Sequence, residues 1–152
     1  MRTIIALISM TVIASAQDLP QRPNPALTPG YVNPAATKDN ICVQGYTSQP
    51  GIRDVSWETK KKVFDEYKVD YKADKFEIDH LISLELGGSN DIKNLWPQAY
   101  NTKPLNAHVK DALENKLHYL ICNGKADLAA VQHDIAADWT KAYIKYVGPL
   151  PK

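Results

Sequence analysis

A chain of 152 residues with 44% hydrophobic and 23% charged residues is long enough for one modest core and too short for two full domains. Its formal charge of +1 excludes the strongly basic balance of a protein that holds nucleic acid by net charge, so such a partner has to be engaged through a local site. Two cysteines without a CxxC pair argue against a zinc ribbon.

Arg2 precedes an apolar run from Ile4 to Ala14, and Ala14-Ser15-Ala16 places small residues where signal peptidase cleaves. The run is far shorter than the ~20 residues that span a bilayer. Residues 1–16 therefore read as a signal peptide, which predicts an exported chain, periplasmic or secreted, with no stable membrane association after cleavage. Cleavage removes one basic residue, Arg2, and leaves 17 of each sign. Cys42 and Cys122, an even pair in an oxidising compartment, are expected to form one disulfide. Closing so long a loop is worth roughly 4 kcal/mol.

From Gln17 to Asn40 the prolines 20, 23, 25, 29 and 34, with few periodic apolar residues, predict an extended linker over 17–40 and a folded domain over 41–152, the alternative being an irregular arm that packs over the domain through Leu19, Leu27, Tyr31 and Val32. Ser56 is placed to cap a helix from Trp57 to Tyr67, with Val63, Phe64 and Tyr67 on one face and Lys60-Lys61-Lys62 largely in solvent. Phe76 to Ile82 alternates apolar and polar residues over its first half, as a half-buried strand does. Gly87-Gly88-Ser89-Asn90-Asp91 carries turn chemistry, and Asn94-Leu95-Trp96-Pro97 reads as a second strand, which together make a bent hairpin. Asn106 caps a helix with Val109, Leu113, Leu117 and Leu120 at helical spacing, ended by Gly124. A last helix, capped by Asp127, lays Leu128, Val131, Ile135, Trp139, Tyr143 and Tyr146 along one stripe. The fold class is α+β.

An acid and an imidazole side by side at a strand end, then a Gly-Gly loop, an Asn-Leu and a helix with an early histidine form a constellation. The run from Glu77-Ile78-Asp79-His80 through Gly87-Gly88 to Asn94-Leu95 resembles the HNH endonuclease motif, the ββα-metal fold, and is most similar to small exported bacterial proteins with that signature. The similarity extends through Trp96-Pro97-Gln98, Lys110-Asp111-Ala112-Leu113-Glu114 and the Cys122 tail, over roughly 41–147.

The resemblance implies a metal-dependent nuclease. His80 would be the general base, a role suited to an imidazole with an ordinary pKa near ~6.5. Asp79 would bind a divalent cation, and Asn94 would orient the histidine loop through backbone hydrogen bonds. Consecutive strand residues point to opposite faces, so a bend at Asp79-His80 is part of the expectation. The third motif position falls on the helix, where Asn106 and His108 compete. They stand about 200° apart, and Asn106 has the N-cap role, which leaves His108 as metal ligand with Asp111 as its neighbour or as a surface partner of a lysine.

One divalent ion is expected, Mg²⁺ or Mn²⁺ ahead of Ni²⁺ or Zn²⁺. The partner would be nucleic acid, DNA before RNA, with Arg53, Lys93, Lys103 and Lys110 as candidate phosphate contacts. An immunity partner is possible without being indicated. The alternative is a secreted, non-catalytic binding module on an HNH-like scaffold, which the balanced charge favours.

Overall fold

The computed structural model describes residues 21–70 and 75–152. The expected signal peptide, and residues 17–20 of the expected linker, lie outside the described residues. The architecture is α+β. Helix α1 (Lys38–Ile41) and α2 (Trp57–Tyr67) precede an antiparallel pair, β1 (Phe76–His80) and β2 (Leu95–Ala99), followed by α3 (Ala107–Cys122) and α4 (Leu128–Tyr146). Among the described residues no helix is long and apolar enough to cross a membrane.

The helices start where side chains take up their first free N–H groups. Ser56 accepts from Thr59 N, Asn106 from Val109 N and Asp127 from Ala130 N. Between the strands the register pairs His80 with Leu95 and Phe76 with Ala99. Phe76 packs edge-on against Phe64 of α2, ring centroids 5.6 Å apart, so α2 covers one side of the hairpin. Leu113, Leu117 and Ile121 of α3 are fully buried in a core with Trp96, Val131, Ile135 and Trp139. Each buried aliphatic side chain contributes about 1.5–3 kcal/mol there. Val109 and Leu120, expected on the same stripe, lie half-buried at its margin.

Two expectations are corrected. The last helix is interrupted at Asp138, whose backbone is extended (φ −169°, ψ 101°) and whose Oδ1 accepts from Thr140 N at 2.9 Å, capping a new start. Residues 21–40 are an arm packed on the domain and not a free linker. Thr28 is buried, with its hydroxyl donating to Leu95 O at 2.8 Å, and Asn33 N donates to Gly87 O at 2.8 Å. Val32 forms an antiparallel bridge with Gly88. Between turns at 25–27 and 34–35 the backbone runs without regular structure and offers the amides between its prolines to a neighbouring loop.

The disulfide joins Cys42, at the end of α1, to Cys122, at the end of α3, across 80 residues with Cα atoms 5.5 Å apart.

Candidate active site

Glu77 and Asp79 are two residues apart on β1, so strand alternation turns both to one side of the hairpin. Alternation alone would send His80 to the other. The strand ends at His80, the chain bends at Leu81 and Ile82, and Asp79 and His80 line the same cavity, about 310 Å³, at the join of β1 and α3.

The loop after His80 is fixed by Asn94, which has no exposed surface. Its Oδ1 accepts from Ile82 N at 3.0 Å and Tyr31 N at 3.3 Å, and its Nδ2 donates to Ile82 O and Ser89 O, both at 2.9 Å. One buried amide thus satisfies backbone groups of the arm and of both ends of the loop. Gly88 makes this closure sterically feasible, because a Cβ there would stand 1.7 Å from Ile82 O.

His80 is oriented by Asn90. The carbonyl of Ile52 can only accept, so Asn90 Nδ2 donates to it at 3.0 Å, and Asn90 Oδ1 is left to accept from His80 Nε2 at 2.9 Å. The neutral ring therefore carries its proton on Nε2 and a lone pair on Nδ1. Burial lowers the His80 pKa below 6.5, aided by the charges of Lys110 and Arg53 and opposed by Asn90 and Asp79. At neutral pH the ring is a base in its unprotonated form.

Lys110 was expected to meet phosphate in solvent. Its side chain is only 1% exposed, and its ammonium donates to Asp79 Oδ2 and His80 O, each at 2.7 Å, and to Glu114. Three N–H groups with three acceptors leave none for a substrate. Burial works against the charge of Lys110, and Asp79 and Glu114 override it, so its pKa stands above that of a free lysine. Burial pushes the Glu114 carboxyl up, against the pull of Lys110 and with the repulsion of Asp79.

Glu77 and Asp111 also line the cavity. Burial raises both carboxyl pKa values, and the charge of Asp79 raises them further. Glu85, raised mainly by burial, completes this acidic wall, and Arg53 is the exposed cation facing it. Ser83 lines the cavity too, and its buried hydroxyl has no partner among the described residues.

Other expected residues fall elsewhere. His108 is outside the cavity lining, with a side chain 71% exposed, its ring 6.3 Å from that of Tyr100 and its Nδ1 3.9 Å from Asp111 Oδ2. Asn106 is occupied as the α3 cap. Lys93 lies over the Tyr31 ring, 5.7 Å from its centroid, and Lys103 is exposed outside the cavity lining. Cys42, His118 and Cys122 bring three ligand atoms within 4.8 Å, but the two sulfurs are bonded to each other.

Glu77, Ser83, Glu85, Asn90 and Glu114 escaped the sequence reading. Two had a usable signal: Glu77 is at the same-face spacing from Asp79, and Glu114 is one helical turn beyond Lys110. No protein-family model, curated protein or solved structure matches the chain.

Proposed function

We propose that this chain is an exported, metal-dependent endonuclease of the HNH type, with the hairpin and α3 as a ββα-metal core, that hydrolyses phosphodiester bonds of nucleic acid, DNA before RNA. The observation that carries the reading is His80, a buried neutral imidazole with its Nε2 proton held by Asn90 and no hydrogen-bond partner for Nδ1 among the described residues, beside Asp79 and lining one cavity with Arg53. The resemblance of residues 77–95 to the HNH motif supplies the reaction class.

The carboxylates suit a hard divalent cation such as Mg²⁺ or Mn²⁺ in donor type, but among the described residues Glu77, Asp79 and Asp111 do not bring their oxygens within 4.8 Å of one another, so side-chain movement would have to gather them around an ion. Asp79 has one oxygen on Lys110 and the other without a hydrogen-bond partner among the described residues, and Glu77 and Asp111 stand near enough for its charge to disfavour their ionisation. A cation taken up by these three carboxylates would relieve that repulsion. In this reading Asp111 replaces His108 as the α3 ligand. A cation held there would supply charge neutralisation on the phosphate and on the departing oxygen.

The residues of the chain do the rest. His80 Nδ1 takes a proton from the attacking water, and Nε2–H stays on Asn90, so the ring that becomes charged keeps its orientation. The carboxylate of Asp79 favours that charged ring. Arg53, exposed at the cavity wall, offers a fork of donors to a phosphate. Export rests on residues 1–16 and agrees with the Cys42–Cys122 disulfide.

Plasmid cleavage by the purified mature chain with Mg²⁺ or Mn²⁺, beside EDTA and His80→Ala controls, tests the proposal. Cleavage abolished by both controls is expected. No cleavage of DNA or RNA across several metals would leave the non-catalytic binding module as the better reading.

A further inference from the structure

Lys110 is the most completely enclosed charge near the site. It projects from α3 across to β1, and its ammonium spends its three hydrogens on Asp79 Oδ2, His80 O and Glu114 Oε1. Two of those acceptors belong to the residues assigned the chemistry above. Ion pairs buried this deeply are generally no more stabilising than apolar side chains of the same volume, because desolvation offsets the attraction. Stability alone therefore gives no reason for an ammonium here. An ammonium that ties a carboxylate to a main-chain carbonyl occupies positions where a divalent cation would otherwise bind.

We propose that the Lys110 ammonium is a tethered counter-cation of the cavity: gripped by Glu114, it fills one oxygen of Asp79 and the carbonyl of His80, and thereby sets where Asp79 can meet a divalent cation and weakens how tightly it does so. Lys110 is a positioning residue in this account, since it touches neither substrate nor water. The inference rests on the metal-dependent reading of the same site. Its first consequence is that Asp79 presents a single oxygen to an incoming ion. Its second is that a fixed positive charge stands on the same carboxylate and repels that ion, which keeps affinity low and the ion exchangeable.

The test is Mn²⁺ binding, measured by calorimetry and by the loss of free-ion electron paramagnetic resonance signal, on the full mature chain and on two variants. Lys110→Met removes the charge while keeping an unbranched chain. Lys110→Met with Glu114→Gln removes the charge pair together, so that folding does not depend on an orphaned buried carboxylate. Both variants are expected to bind Mn²⁺ about tenfold or more tightly, from the lost repulsion, while cleaving more slowly because Asp79 is no longer held. A merely structural lysine would weaken Mn²⁺ binding or leave it unchanged when removed. Unchanged or weaker binding in the folded double variant overturns the inference and leaves the metal reading standing. Absence of Mn²⁺ binding in all three proteins overturns the metal reading and this inference with it. On the unaltered chain, Mg²⁺ should also move the side-chain ¹⁵N resonance of Lys110 in NMR, and a resonance that stays in place while Mg²⁺ binds counts equally against the inference.

Discussion

Asn90 Oδ1 stands 2.9 Å from His80 Nε2, ten residues back along the chain, and the same amide is held the right way round by Ile52 O. A ring locked with its proton on Nε2 presents Nδ1 as base without sampling the other tautomer. On the proposed nuclease reading, Asn90→Ala is therefore expected to lower kcat by about 10–100-fold, the usual cost of losing a group that orients a functional histidine. Asn90→Asp should behave differently. A carboxylate on Nε2 favours the charged ring and raises its pKa, which moves the acid limb of kcat/KM to higher pH. A pH–rate profile that does not move in Asn90→Asp would show that His80 is not the titrating base.

In the unaltered protein that acid limb should fall below pH 6.5, because burial lowers the folded-state pKa of His80. The same shift acts on stability. As pH drops below 6.5 the unfolded chain takes up a proton that the folded ring still refuses, so the contribution of His80 to stability is complete above 6.5 and is lost on acidification through the lowered pKa. The raised carboxyls of Glu77, Glu85 and Glu114 act in the opposite sense, so the relevant quantity is a difference between proteins. Urea unfolding of the wild type and His80→Gln at pH 7.5 and 5.5 should show the wild type losing more stability on acidification. Parallel losses would contradict the neutral, buried ring.

Asn94 carries no charge and is not among the residues lining the His80 cavity, yet its replacement should be among the most damaging single changes. Asn94→Ala leaves the amide of Ile82 and the carbonyls of Ile82 and Ser89 without their partner in a buried setting. A loss of about 3 kcal/mol follows from stranding several buried backbone groups at once. Gly88→Ala meets Ile82 O directly and should be at least as costly. Thermal unfolding checks both, and a melting temperature within a degree or two of wild type in either variant would show that the loop closes in another way.

The elements set by neighbours in sequence were legible before any coordinates: Ser56 before Trp57–Tyr67, Asn106 before Ala107–Cys122, and the Phe76 and Leu95 strands flanking a Gly-Gly loop. Capping and alternation are short-range and leave a trace in consecutive letters. The arm is legible only as the weaker alternative, because Leu27, Tyr31 and Val32 offer apolar surface while prolines signal extended backbone without saying what it lies against. Lys110 was misread for a related reason. A lysine beside an aspartate on a helix looks like a solvent-facing ion pair, and only the approach of β1 to α3 supplies the acceptors that bury it. At Asp138 the apolar stripe continues through the break, so periodicity alone did not reveal the interruption.

Arg53 and the lysines are separable by experiment. Arg53 lines the cavity, whereas Lys93 and Lys103 do not. Arg53→Ala should raise KM by about tenfold, the order of one lost charge-assisted contact, and should flatten the dependence of binding on salt by about one unit of slope. Lys103→Ala should leave both within twofold. Equal effects from the two substitutions would mean that the proposed nucleic-acid partner is held by diffuse surface charge and not at this cavity.

Cys42 and Cys122 close a loop of 80 residues that contains α2, the hairpin and nearly all of α3. Loop-closure entropy assigns such a bond about 4 kcal/mol of stability, acting through the unfolded chain and independent of the chemistry at His80. Cys42→Ser with Cys122→Ser should therefore lower the urea midpoint substantially while leaving the acid limb of the rate profile where it was. Reduction of the wild type should reproduce that stability loss. A loss under about 1 kcal/mol would mean that the unfolded chain already keeps α1 and the end of α3 close without the bond. A shift in the acid limb would instead mean that the bond reaches the base, and the path to examine would be His118, whose Nε2 lies 3.0 Å from Ile41 O and 3.5 Å from Cys122 Sγ and whose charge acts on Glu85 in the cavity wall.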